Sequence, residues 1–129
     1  MRRSMMIAAA PLALLAVPAP AAAQDVAHFL VRVDRMIARG PFALLSPDFY
    51  RLKHLVEADG DQLKLDYARA QAAHEPTKFC PPTTDKPRVN KDEYLHALRA
   101  VPAHQRLTTD TKDVLRTVLE RKYPCRRSA

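Results

Sequence analysis

Two cysteines, five histidines and a group of carboxylates are the side chains of this 129-residue chain best equipped for chemistry. Cys80 and Cys125 have three roles open to them in general: thiol nucleophiles, metal ligands, or the two halves of a disulfide. Their separation is far from the Cys-x-x-Cys spacing of a redox pair. Each flanks a helical pattern, in Phe79-Cys80-Pro81-Pro82 and Tyr123-Pro124-Cys125, and two short amphipathic patterns joined by a turn lie between them. In such a hairpin the start of the first helix lies beside the end of the second, so one disulfide would staple its open end. His28, His54, His74, His96 and His104 are scattered, with no His-Glu-x-x-His motif and no pair at metal-ligand spacing, which reads as surface placement. Glu57, Asp59, Asp61 and Asp66 gather on one helical stretch and would suit acid-base work or cation binding. Lys53 and Lys64 sit among them at ion-pairing spacing, so the expectation is a solvated charged face. Glycine occurs only at Gly40 and Gly60, which leaves nothing to cradle a phosphate. No enzymatic activity, no cofactor and no metal site are therefore expected.

What remains is interaction chemistry. Residues 81–88, Pro-Pro-Thr-Thr-Asp-Lys-Pro-Arg, are stiffened by prolines and tied at one end by Cys80, so they would lose little entropy on binding. Thr83, Thr84, Asp85, Lys86 and Arg88 are the candidate partner-binding residues. A plain spacer between helices is the alternative for the same loop.

The compartment is written at the start of the chain. Met1-Arg2-Arg3 is a positive n-region, Met5 to Val17 is mostly apolar, and Ala21-Ala22-Ala23 is a small-residue cleavage pattern, which together read as a secretory signal peptide over residues 1–23. The apolar run is short and carries Pro11, Pro18 and Pro20, so it does not suit a membrane span, and stable membrane insertion is not expected after cleavage. Arg2-Arg3 leaves the export route open between twin-arginine and general secretion. Residues 24–129 would form one domain of 106 residues in an oxidising, periplasmic compartment, where paired cysteines are structural. The formal charge falls from +7 to +5 with the loss of Arg2 and Arg3, a balance that favours acidic partners. Neither interleaved aromatics nor a dense basic stripe is present, so nucleic acid is not expected as a partner.

Four periodic stretches must position these groups. Val26, Phe29, Leu30, Val33 and Ile37 recur at helical spacing over 26–39, after Asp25 as a cap and before the stop signal Arg39-Gly40-Pro41. Ser46-Pro47-Asp48 opens a second helix whose face of Phe49, Leu52, Val56, Leu63, Tyr67 and Ala70 keeps phase to about Ala73. It passes Gly60, where a kink or a close helix crossing would explain the glycine. The alternative is a break at Asp59-Gly60-Asp61. Asn90-Lys91-Asp92-Glu93 is a capping box before Tyr94, Leu95, Leu98 and Val101, and Pro102 ends that helix. Thr108 to Asp110 offer caps for a last stripe of Val114, Leu115, Val118, Leu119 and Tyr123, closed by Pro124. No alternating pattern reads as a strand. The predicted class is all-α: a small four-helix domain with a disulfide-stapled C-terminal helical hairpin.

Three pieces of the second half occur together in one family. The pattern aromatic-Cys80-x-Pro82, then Val89-Asn90-x-x-Glu93 opening a helix, then a helix ending Tyr123-Pro124-Cys125, resembles the periplasmic immunity proteins that neutralise peptidoglycan amidase effectors of type VI secretion systems. The resemblance covers residues 79–125. An earlier helix carries Glu57-Ala58-Asp59-Gly60 where many members have a Gly-x-x-Asp-Ala stretch. The resemblance implies a small, exported, helical, non-enzymatic protein that occludes the active-site cleft of an amidase effector, with Cys80 and Cys125 carried over as its bridge. Self-association into a homodimer is left open. A second reading, from another class, is a periplasmic chaperone resembling the small, helical, singly bridged proteins of acid stress.

Overall fold

A computed structural model of the protein describes residues 24–126, so the signal-peptide reading of residues 1–23 lies outside the described residues. The described residues form four α-helices: α1 (Val26–Ala38), α2 (Pro47–Ala72), α3 (Lys91–Ala100) and α4 (Thr111–Lys122). Short 3-10 turns occupy Gly40–Leu45 and Ala103–Gln105. Extended pairing among the described residues is limited to two isolated bridges, Asp25 with Asp110 and Phe79 with Pro124. The fold is a small all-α domain closed by the Cys80–Cys125 disulfide, whose Cα atoms are 4.8 Å apart.

The helix ends form where capping chemistry puts them. Asp25 accepts from the His28 amide at 2.9 Å, Ser46 Oγ from the Phe49 amide at 3.3 Å, and Asp110 from the Lys112 amide at 2.9 Å. Asn90 Oδ1 accepts from the Asp92 amide at 3.0 Å, and Glu93 accepts from the Asn90 amide at 3.5 Å, which completes the capping box. Gly40 follows α1 in the left-handed region at φ 67°, as its place in the stop signal requires. At the end of α2 the same left-handed position falls to His74, at φ 54°. Its amide donates to the Gln71 carbonyl at 3.1 Å and the Glu75 amide donates to the Ala70 carbonyl at 2.8 Å, the pair of bonds of a Schellman motif.

α2 is continuous through Gly60, so a break at 59–61 does not occur. A Cβ at Gly60 would meet nothing within 4 Å, so the glycine marks no close crossing. The unbroken apolar phase on either side carries the helix past it.

Val26 and Leu98 are fully buried, and around them pack Phe29, Leu30, Val33, Leu52, Leu63, Tyr94, Val114 and Leu115. α4 packs on both α2 and α3, α1 bridges the same two helices, and α2 and α3 hardly touch one another. The open amides at the start of α1 are satisfied from the loop before α4: Val26 donates to the Thr109 carbonyl at 3.0 Å and Ala27 to the Arg106 carbonyl at 3.1 Å. The Arg106 guanidinium in turn donates to the carbonyls of Arg99 and Val101, both at 2.8 Å, and so caps the end of α3.

Two placements differ from the sequence reading. Ile37, counted with the core stripe by its spacing, is 55 % exposed, because that phase brings it to an open groove instead of a neighbouring helix. Residues 40–45, read only as a stop and a connection, form a 3-10 turn. Pro41 near its start has no amide to lose there.

Candidate functional sites: a clamped loop and an open groove

The candidate loop residues Thr83, Thr84, Asp85, Lys86 and Arg88 are all exposed. Both ends of their loop are anchored on the segment that directly follows α4, Tyr123 to Cys125. At the first end stands the disulfide, with the Cys80 amide donating to the Tyr123 carbonyl at 2.9 Å and the Cys125 amide to the Lys78 carbonyl at 3.3 Å. At the other end the Tyr123 hydroxyl accepts from the Arg88 amide at 3.1 Å and donates to the Arg88 carbonyl at 3.3 Å. The Tyr123 ring lies edge-on to Phe79, with centroids 6.2 Å apart, and Phe79 is edge-on to Tyr67 of α2 at 5.4 Å. The staple therefore ties the α2–α3 connection, rather than the first turn of α3, to the end of α4. α3 is drawn to α4 separately, by Lys122 donating to Glu93 at 2.9 Å, and this lysine holds the Glu93 carboxyl below its usual range. Tyr123 was legible as the last residue of an apolar stripe and as the start of Tyr123-Pro124-Cys125. Its clamp on a residue 35 positions earlier has no local signal.

The carboxylates of α2 divide. Glu57 lies 3.7 Å from Lys53 and 3.2 Å from His54, and Asp61 lies 2.7 Å from Lys64, as a solvated charged face requires. Asp66 instead joins two helices, within 3.5 Å of Lys112 and 3.6 Å of Arg116 on α4. Asp59 departs furthest from the expected charged face. It turns toward the N-terminus of α4 and accepts from the buried Thr111 hydroxyl at 2.7 Å, while the Tyr94 hydroxyl donates to the Thr111 carbonyl at 3.2 Å. Burial pushes the Asp59 carboxyl above its usual range against the lowering effect of the Thr111 bond, and it pushes the Tyr94 phenol up as well. Among the described residues no three histidine, cysteine or acidic side chains stand close enough to hold a metal ion. None of their helices is long and apolar enough to cross a membrane.

The larger feature is a half-open groove of about 740 Å³. Val33 and Met36 of α1, Leu52 and Val56 of α2, and Leu95 and Leu98 of α3 form its walls, and Leu115 of α4 lies at its floor. It exists because α2 and α3 face each other there without packing together. Charges at its margin are few: Lys53 and Glu57 on one wall, Lys91 and Asp92 on the other. Beside it the 3-10 turn exposes Phe42, Leu44 and Leu45 to 78, 59 and 79 %. The signal for this surface was present in the sequence as Phe42-Ala43-Leu44-Leu45, an apolar run between two helices that neither helical face absorbs.

No family model, no curated protein and no solved structure matches the chain.

Proposed function

We propose that the protein is a non-enzymatic binding protein of the periplasm, similar to the immunity proteins that occlude peptidoglycan amidase effectors of type VI secretion, with residues 83–88 as its recognition element. The observation that carries this reading is the double anchoring of the loop: five exposed side chains stand on a backbone pinned by a disulfide at Cys80 and by the Tyr123 hydroxyl at Arg88. A loop ordered before binding gives up little entropy when it docks, which favours a tight, specific partner. The disulfide is compatible with an oxidising compartment. Lys86 and Arg88 give the loop two cations to set against an acidic cleft margin.

The test is inhibition of peptidoglycan amidase effectors of type VI secretion encoded in the same genome, each mixed with this protein in measured ratios. A stoichiometric complex that abolishes peptidoglycan hydrolysis is expected, weakened on the order of tenfold by Lys86→Ala or Arg88→Ala. Neither substitution touches the backbone bonds to Tyr123. Absence of a complex, together with promiscuous capture of unfolded proteins that strengthens as pH falls, would replace this reading with the acid-stress chaperone.

A further inference from the structure

We infer that Cys80 is a site of reversible thiol exchange: an external thiolate enters at its Sγ, displaces Cys125, and leaves the polar loop thiolated and freed from its first anchor. The two halves of the bridge stand differently. Cys80 is exposed, whereas Cys125 is half-buried. Cys125 Sγ also lies 3.3 Å from the Thr77 carbonyl oxygen, whose lone pairs repel an anion arriving at that sulfur. Access and the sulfur attacked set the course of such an exchange, and exposed bridges are the labile ones. Here both point to attack at Cys80.

The surroundings of the departing sulfur suit a developing negative charge. Cys125 borders an open hollow of about 490 Å³ together with Lys78 and Arg121, and Glu120 is the one carboxylate on its walls. Glu93, the other carboxylate near Arg121, is taken by Lys122 at 2.9 Å. Cations beside a sulfur favour its thiolate form, and a stabilised thiolate leaves faster. In the step itself the external sulfur bonds to Cys80 Sγ while the Cys80–Cys125 bond breaks and its electron pair goes to Cys125. Cys125 then takes a proton from water. The thiol so formed has an acceptor already beside it in the Thr77 carbonyl.

The backbone makes the exchange reversible. Phe79 and Pro124 form an antiparallel bridge, with the Cys80 amide donating to the Tyr123 carbonyl at 2.9 Å and the Cys125 amide to the Lys78 carbonyl at 3.3 Å. None of these bonds involves sulfur. They keep Cys125 within reach of Cys80 after opening, so its thiolate can attack Cys80 Sγ, expel the external thiol and restore the bridge. This inference does not rest on the recognition role of residues 83–88.

The experiment treats the oxidised protein, expressed in an exporting host and purified as processed, with glutathione in the absence of denaturant. Exchange is quenched with N-ethylmaleimide and the two cysteine peptides are mapped by mass. Glutathione on Cys80 with maleimide on Cys125 is expected to exceed the reverse by about tenfold. Lys78→Ala and Arg121→Ala, both at exposed positions, should each slow the exchange about threefold without changing the helical circular dichroism. Lys64→Ala, paired with Asp61 on α2, should leave the rate unchanged. A reduced thioredoxin at equal thiol concentration distinguishes a dithiol protein from a small thiol as the reductant, and both should open so exposed a bridge. A bridge that exchanges only after denaturant is added overturns the inference, as do adducts that divide equally or fall chiefly on Cys125. Rates that neither Lys78→Ala nor Arg121→Ala slows would overturn Cys125 as the departing sulfur. Amidase inhibition by the loop variants is read separately, so failure of the functional reading would not be mistaken for failure of this one.

Discussion

Residues 76–89 and residues 40–45 both connect helices, and they are held in opposite ways. The longer connection is polar and proline-rich, buries little, and is ordered from outside by a disulfide, the Tyr123 hydroxyl and the Phe79 ring. The shorter one is apolar and ordered by its own backbone, with the Ser46 amide and hydroxyl closing it onto the Ala43 carbonyl at 3.0 and 2.6 Å. Only Ala43 of its side chains is buried. A polar segment without a core needs tethers to keep one shape, because no burial offsets its lost entropy. A tight apolar turn keeps its shape through its own backbone bonds but leaves hydrophobic surface exposed.

Removing the tether should have the largest effect. The disulfide closes a separation of 45 residues. Cys80→Ser is therefore expected to lower stability by about 4 kcal/mol, less any relief of strain. Denaturant melts of oxidised and reduced protein measure this, and amide exchange should speed up in residues 81–88 but not in 40–45. Coincident melts would mean that the tether is dispensable and that the contrast between the two connections fails.

Core substitutions set the scale at the groove. Leu98 is fully buried on the groove wall, so Leu98→Ala should cost about 2 to 5 kcal/mol. Leu45, 79 % exposed, should change the stability of the monomer by less than about 0.5 kcal/mol on the same truncation. Melts at concentrations too low for self-association compare them. A large loss at Leu45 would show that the turn supports the fold and is not merely displayed by it.

The two glycines sharpen the contrast further, with opposite signs. Gly40 stands at φ 67° with open space around a added Cβ, so Gly40→Ala should cost about 1 to 2 kcal/mol from the backbone alone. Gly60 is an ordinary helical residue with equally open space, and Gly60→Ala should stabilise α2 by up to about 1 kcal/mol. Thermal melts of both variants test whether the turn depends on its glycine while the long helix merely tolerates one.

The smallest effect depends on pH. Because Asp59 has its pKa raised in the folded state, its contribution is fully present below the unfolded value of 3.8 and is lost as pH rises through the higher folded value. Asp25 and Glu93, whose pKa values are lowered by His28 and Lys122, act the other way and lose their contributions on acidification. Asp59→Asn keeps an acceptor for Thr111 and should remove only the first component. The stability gain of the variant over wild type should therefore shrink as melts are taken from neutral pH down toward 4. A gain that grows on acidification would show that the α2–α4 joint loosens with acid, as the chaperone reading requires.

How much was legible follows from how far each signal reaches. Caps, stops and apolar phase act within one or two turns, so Ser46, Asn90 with Glu93, Gly40 and the four α-helices could be read directly, and the lone pair of cysteines left one bridge to draw. Exposure of Thr83 to Arg88 followed from their polarity and the prolines between them. The Tyr123 clamp on Arg88, the inward turn of Asp59 to Thr111 and the exposure of Ile37 were decided by the tertiary structure. Periodicity tells which face of a helix is apolar, but burial depends on whether another element arrives to cover it. Here α4 meets α2 from its middle onward, at Asp59 and Asp66, and α3 lies across the groove from the earlier part without closing on it. The same kind of apolar stripe therefore contributes Leu52 and Leu63 to the core, yet along the earlier part of α2 it also lines an open groove.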